Sequence, residues 1–211
     1  KIGDRWWFVD PEGYLFLSVG VDCVSTGNGG NVRDLEKRNG MYKELPPVDL
    51  MNKYAPKYSR NNQFLSFGLW NLYRRYGDEF PQKSTDLVFK RMDKWGLNTI
   101  ANWSSSEIMN MNRKAFLIPL RDLGIAHDLM GLCDVYEPDF KANVDKSLSE
   151  FVKPYKNNPW LVGYFIGNEP AWLGEESRLC GLILEGKDRP IRTALSNYLK
   201  EKGDTPDNRK A

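Results

Sequence analysis

A chain of 211 residues, 41% of them hydrophobic, is enough for one packed globular domain or for part of a larger one. Thirty Lys and Arg nearly balance 28 Asp and Glu, leaving a net charge of +2, and no basic block alternates with aromatic residues, which speaks against a nucleic-acid groove. No apolar run approaches the roughly 18 residues that cross a bilayer, and the start Lys1-Ile2-Gly3-Asp4-Arg5 lacks the apolar segment of a signal peptide, so no membrane partner is expected and any leader is expected to have been removed.

The three cysteines, Cys23, Cys133 and Cys180, are too widely spaced for a zinc pattern or a disulfide framework, and they read as buried small hydrophobes. An odd thiol rules out complete pairing within the chain. Seven Trp contribute to an aromatic content of 13%. Indole faces stack on the C–H faces of sugar rings, yet they also fill ordinary cores, so the count alone decides little.

In chain order, β-rich runs at 5–9 and 14–24 flank Asp10-Pro11-Glu12-Gly13, which predicts a hairpin. The second run is apolar at nearly every position, as in a parallel strand covered on both faces. From residue 25 to about 60 the pattern dissolves into Gly, Asn, Pro and charge, and 24–61 reads as one long loop on the active-site side. Helical periodicity returns at 64–76 and at 84–95. The second helix is capped by Ser84 or Thr85, has Leu87, Val88, Met92 and Trp95 on its apolar stripe, and stops at Gly96. A short strand at 97–103 and a brief helical piece at 107–114 follow. The third strand is placed at 115–120, with 124–130 as a competing choice that periodicity does not exclude. A helix at 138–152, a buried strand at 160–167 and a last helix at 189–202 complete the pattern.

Alternating strands and helices imply parallel pairing with right-handed crossovers. The fold class is α/β: a (β/α)8 TIM barrel present as its N-terminal part, residues 1–211 being one piece of a single domain preceded by the hairpin. About four strands are visible where a closed barrel has eight. A doubly wound sheet is the structural rival, with a dinucleotide enzyme as its functional counterpart. Thr26-Gly27-Asn28-Gly29-Gly30 is Gly-rich but lacks the spacing and following helix that such an enzyme needs.

Function in parallel α/β folds sits at the carboxyl ends of strands, and Glu169 directly follows the apolar strand at 160–167. A carboxyl group half-withdrawn from water resists ionisation, which suits a general acid. The bland alternative is a helix cap or an Arg partner. The neighbours favour the first reading: Asn168-Glu169-Pro170, entered from Gly163-Tyr164-Phe165-Ile166-Gly167 and followed by Ala171-Trp172, resembles the fourth-strand signature of retaining glycoside hydrolases of clan A. The chain is most similar to the β-agarase family and more loosely to β-galactosidases and mannanases. Three further islands fit in order: Trp7-Phe8-Val9-Asp10-Pro11-Glu12-Gly13 with Ser18-Val19-Gly20-Val21, then the segment 95–104, then Asp134-Val135-Tyr136-Glu137-Pro138-Asp139-Phe140.

The resemblance implies an oligo- or polysaccharide substrate and a double displacement. Glu169 would protonate the departing oxygen and Asn168 would bind the sugar 2-hydroxyl, while a second carboxylate about 5 Å away attacks the anomeric carbon. In the family that nucleophile is a Glu ending the seventh strand, so no residue is assigned here and the C-terminal half of the barrel is expected to be needed. Glu107, Glu137, Glu175 and Glu176 read as surface charge. Asn102 and Trp103 follow a strand and either touch sugar or pack. Trp172 is a stacking platform or core, and Asp22 a hydroxyl ligand or a turn cap. The single histidine, His127, reads as a structural or hydroxyl-binding group rather than a metal ligand. No metal or cofactor is expected, and the substrate class implies an extracellular or periplasmic setting. The functional alternative is a catalytically inactive carbohydrate-binding half-barrel.

Overall fold

The structure is a computed structural model and describes residues 1–27, 29–56, 64–120, 128–186 and 188–209. His127 and residues 124–127 of the rival third strand lie outside them. The chain forms two compact units: residues 1–118 with 159–163, and residues 119–158 with 164–211.

In the first unit β1 (Phe8–Val9) and β2 (Leu15–Phe16) pair antiparallel as expected, Phe8 opposite Phe16 and Val9 opposite Leu15. Asp10 closes the turn by accepting the Tyr14 N–H on Oδ1 at 2.8 Å. The run expected as one covered strand over 14–24 is instead divided. β2 joins the hairpin, whereas β3 (Gly20–Val21) enters a four-stranded sheet at its edge, so Leu17, Val19 and Val21 stay exposed.

The expected loop at 24–61 contains structure that periodicity does not reveal. β4 (Gly30–Asn31) pairs antiparallel with β5 (Phe64–Leu65), and α1 (Leu35–Arg38) and α2 (Val48–Tyr54) lie between them in the chain. Gly29 is needed here, since a Cβ would sit 2.5 Å from the Phe64 ring and 2.6 Å from the Leu65 carbonyl oxygen. α3 (Phe67–Tyr76) starts after β5 rather than at residue 64, with Ser66 accepting the Leu69 N–H at 3.1 Å as its cap. α4 (Phe80–Trp95) starts four residues before the expected cap. Pro81 fits the first turn, where no N–H is required. Ser84 and Thr85 therefore lie inside the helix and donate back to the Pro81 carbonyl at 3.1 and 2.9 Å. The earlier start goes with a buried stripe at Phe80, Thr85, Phe89 and Met92 that leaves Trp95 exposed. Gly96, at φ 71°, ends the helix as expected. Leu50, Met51, Phe64, Leu69, Trp70 and Phe80 form one apolar core from α2, β5, α3 and α4.

β6 (Thr99–Ile100), α5 (Ser106–Met109) and β7 (Ala115–Leu120) follow, and β8 (Leu161–Ile166) completes the sheet in the order β3-β6-β7-β8. β3 pairs parallel with β6 and β6 parallel with β7; the Phe116 N–H donates to the Trp160 carbonyl at 2.8 Å beside β8. The strand expected at 115–120 is β7, and the competing segment 124–130 lies mostly outside the described residues. The fold is α/β with a parallel sheet. Burial peaks at its centre: Ile100 and Phe116 are 1% and 0% exposed, against 39% for Val21 on the edge strand β3.

The second unit carries α6 (Phe140–Val152), α8 (Pro190–Lys202) and a helix the sequence pattern does not single out, α7 (Glu176–Glu185). Asp134, buried, accepts the Tyr136 N–H at 2.9 Å and the Ile191 N–H at 3.0 Å, tying its own turn to the start of α8. Arg189, just before α8, clasps Asp128 with Nη1 and Nη2 of its guanidinium and holds that carboxyl below the usual range. The cysteines are free, but only Cys180 is buried, and burial raises its thiol pKa; Cys133 is half-buried and Cys23 is exposed, because it lies at the end of an edge strand.

Gly20 pairs with Thr99, and a Cβ there would lie 2.7 Å from the Thr99 carbonyl oxygen. Gly20→Ala is expected to destabilise the fold by about 1–3 kcal/mol through overpacking. A lower urea midpoint at unchanged slope would show it.

Candidate functional site at the strand ends

The carboxyl ends of β3 and β6 are laced together by backbone hydrogen bonds. The Ala101 N–H donates to the Val21 carbonyl at 2.9 Å, that of Cys23 to the Asn102 carbonyl at 2.8 Å, and that of Ser105 to the Val24 carbonyl at 2.8 Å. The Ser104 hydroxyl accepts the Val24 N–H at 3.0 Å and donates to the Ala101 carbonyl at 2.7 Å. The segments that leave these strands are therefore fixed rather than trailing.

Backbone strain collects at these ends. Among the described residues seven non-glycine positions have positive φ, and three of them follow strands of the four-stranded sheet: Cys23 at 57° after β3, Trp103 at 57° after β6, and Glu169 at 43° after β8; a fourth, Asp34 at 53°, follows β4 of the smaller sheet. A side chain in this left-handed region costs roughly 1–2 kcal/mol, and such positions cluster at working sites. Gly167, at φ 70°, shares the sharp turn with Glu169.

The predicted residues fall as follows. In the first unit Asp22 and Trp103 are exposed, and Asn102 is 3% exposed with its Oδ1 buried and unpartnered. In the second unit Asn168 and Glu169 are exposed and Trp172 is half-buried. The Ala171 N–H donates to the Met130 carbonyl at 3.1 Å, which holds the segment after Glu169 in place. Glu169 forms no ion pair among the described residues, so the Arg partner of the bland alternative is not seen there. Its exposure also means that burial within this chain does not supply the shielding expected of a general acid. Of Asn102 and Trp172, one leaves a buried acceptor and the other a buried donor, Nε1, without a partner; these are the two such side-chain atoms among the described residues. Unsatisfied buried polar groups are costly and rare. Among the described residues no group of His, Cys, Asp and Glu is arranged to hold a metal ion.

The sequence pattern misses a cavity of about 560 Å³ in the first unit. Ser25 and Thr26 border it just beyond β3, and Ser105 and Glu107 just beyond β6, so it opens at the same strand ends. Tyr54, Phe64 and Phe80 supply its aromatic side. Tyr54 and Lys53 both donate to Asp78, and these hydrogen bonds hold the Asp78 carboxyl below its usual range, that from Lys53 most strongly. No single segment announces this site, because its walls come from five separate stretches of the chain between Ser25 and Glu107.

Comparison with known proteins follows the same lines. The chain is 27% identical to Beta-agarase B of Vibrio sp. (strain JT0107) over 96% of its own length and 25% of that protein. It is 27% identical to Beta-agarase A of the same strain over 80% of its length and 19% of that protein. Among solved structures, the agarase AgWH50C superposes with a TM-score of 0.73 at 25% identity, over 93% of this chain and 34% of that one. An exo-beta-agarase superposes with a TM-score of 0.66 at 22% identity, over 99% and 36%. The chain thus spans about a quarter or less of the curated relatives and about a third of the solved ones. No family model matches it.

Two outcomes check this geometry. Glu169→Gly relieves the left-handed strain and is expected to raise folding stability by up to about 1 kcal/mol, measured by denaturant unfolding. The Asp78 contribution to stability is fully present above the ordinary carboxylate range and lost as pH falls through its depressed folded value. Asp78→Asn should therefore flatten the acid limb of a thermal-stability profile and leave its alkaline limb unchanged.

Proposed function

We propose that this chain is part of a glycoside hydrolase that cleaves a β-linked galactan, with Glu169 as acid and base of a retaining two-carboxylate mechanism. The observation that carries the reading is the position of Glu169: three residues past the fourth strand of a parallel sheet, in a left-handed turn, exposed and without an ion-pair partner among the described residues. Similarity to beta-agarases over nearly the whole chain supports the substrate class.

The architecture we infer is the N-terminal part of a (β/α)8 barrel. Two observations support it. The strand order follows the chain without the reversal that marks a doubly wound sheet. The outer strand β3 and the end of β8 leave Val21, Phe165 and Ile166 exposed, as strands do where another strand would cover them.

In the reaction, the Glu169 carboxyl gives its proton to the glycosidic oxygen as that bond breaks. A carboxylate supplied by the remainder of the barrel, about 5–5.5 Å from it, forms the glycosyl ester. The Glu169 carboxylate then takes a proton from water, whose oxygen attacks the anomeric carbon and releases the nucleophile. A sugar docked against Glu169 strips water from the carboxyl and provides the shielding that this chain alone lacks. Asn168 binds the 2-hydroxyl. Asp22, Asn102, Trp103 and Trp172 are proposed to contact the sugar chain, the unpaired Asn102 Oδ1 and Trp172 Nε1 being groups that a hydroxyl or an ordered water satisfies. On this reading the 211 residues alone do not turn substrate over, and the enzyme works outside the cytoplasm, where polymeric galactan is met.

In the full-length polypeptide Glu169→Gln should lower kcat on agarose by roughly 10²–10⁴-fold with an unchanged circular dichroism spectrum and melting temperature. Near-normal turnover by that variant would reject the assignment. Oligosaccharide binding without any product from the unaltered protein would instead favour an inactive carbohydrate-binding barrel.

A further inference from the structure

We propose that Asp128 and Arg189 are positioning residues for Glu169: their ion pair holds the turn Leu129–Leu132 as a brace against the backbone that follows the acid. The proposal rests on the catalytic reading of Glu169 and adds to it the part of the chain that aims the carboxyl group.

Glu169 needs a brace because its own turn is strained. Gly167 and Glu169 stand at φ 70° and 43°, and a non-glycine residue keeps a left-handed conformation only where its surroundings enforce it. Local bonds within residues 167–174 are few: the Leu173 N–H donates to the Pro170 carbonyl at a long 3.5 Å, and the Gly174 N–H to the Glu176 carboxylate at 2.9 Å. Among the described residues the one hydrogen bond that joins this stretch to a distant part of the chain runs from the Ala171 N–H to the Met130 carbonyl, at 3.1 Å. Gly131 adds a contact. A Cβ there would lie 3.6 Å from the Pro170 Cα, so bare backbone sits against the residue next to the acid, and its φ of 93° is one that glycine adopts without strain.

The brace is itself fixed at both ends. Leu129 and Leu132 close the turn by exchanging backbone hydrogen bonds at 3.2 and 2.9 Å. Before the turn, Asp128 receives Nη1 of Arg189 on Oδ1 at 3.1 Å and Nη2 on Oδ2, a two-pronged match that fixes direction as well as distance. After it, buried Asp134 accepts the Ile191 N–H at 3.0 Å. Arg189 directly precedes α8 and Ile191 lies in its first turn, so the helix anchors the brace and the brace carries the chain beyond Glu169. The Asp128 and Arg189 side chains are 49% and 33% exposed, and a pair that open to water adds little to global stability. Its loss therefore falls on the geometry of proton transfer, where an error of about 1 Å lowers the rate roughly 10²-fold.

The test uses the full-length protein and two substrates: a neutral β-galactan tetrasaccharide, whose leaving group is a sugar hydroxyl, and the dinitrophenyl glycoside of the corresponding disaccharide. The sugar oxygen needs the Glu169 proton to depart, whereas dinitrophenolate leaves without it. Asp128→Ala and Arg189→Ala are expected to lower kcat/KM on the tetrasaccharide about tenfold or more and on the dinitrophenyl glycoside by less than about twofold. Hydrogen exchange at the Ala171 amide should quicken in both. The ratio of the two kcat/KM values does not depend on how much of the protein is folded, so a merely structural loss leaves it unchanged. Asp128→Asn, which keeps one acceptor oxygen for Arg189, should recover part of the ratio. An unchanged ratio in both alanine variants overturns the proposal, as does unchanged exchange at Ala171. The two readings fail separately. A ratio altered by Glu169→Gln but not by Arg189→Ala removes only the brace, whereas a ratio that Glu169→Gln leaves unaltered removes the catalytic assignment, and exchange at Ala171 then decides the brace alone.

Discussion

The parallel pairing of β3 with β6 is the constraint on which the first unit depends. It brings the Gly20 backbone so close to the Thr99 carbonyl that no side chain fits between them. Three backbone hydrogen bonds beyond the pair then carry the register past the strands into the segments holding Asp22, Asn102 and Ser105. The cost of that closeness is the left-handed backbone of Cys23 and Trp103, which turns the chain away as soon as the ladder ends. Candidate site residues and strain thus share one origin: two short strands end together, and everything after them must diverge from a common point.

The sheet's energetics are graded. Its centre, Thr99, Ile100, Phe116 and Ile118, is removed from water, while the edge strand β3 is not. A two-residue strand such as β3 earns little from its own pairing, and its neighbours Leu17 and Val19 add apolar surface left in contact with solvent. The core formed by α2, β5, α3 and α4 is the more self-sufficient part, with aromatic contacts such as the edge-on packing of Tyr54 against Phe80 at 4.6 Å between ring centroids. That same Tyr54 faces the cavity, so the packing that stabilises the unit also shapes its candidate ligand site.

What the sequence makes legible is whatever depends on local pattern. The hairpin at β1 and β2, the stop at Gly96 and the helices α6 and α8 all follow from periodicity and turn residues, whereas β7 competes with the segment 124–130 on periodicity alone. Glu169 after an apolar strand is legible for the same reason. Elements that exist only through tertiary contact are not. β4 is two residues long and pairs with β5 more than thirty residues on; α2 is defined by Leu50 and Met51 reaching a core assembled elsewhere. The start of α4 moved because Pro81 suits a first turn better than Ser84 or Thr85 suits a cap, a competition that local propensity does not rank. The exposure of Cys23 and Glu169 escapes the pattern as well, since each belongs to a strand whose chemistry looks buried but whose place in the sheet is outermost.

This last point bears on how a glycosidase acid on such a scaffold would be made. A carboxyl group turned out at a strand end, held by a left-handed backbone and left in water, has its direction set by its own chain but its proton affinity set by whatever covers it. Separating the two has a physical advantage. A group shielded permanently would carry the desolvation penalty throughout folding, whereas one shielded only by bound sugar meets it when the proton is needed. The exposed Glu169 is therefore compatible with the proposed acid role, its shielding coming from bound sugar and from the residues that close over it rather than from the core of this chain.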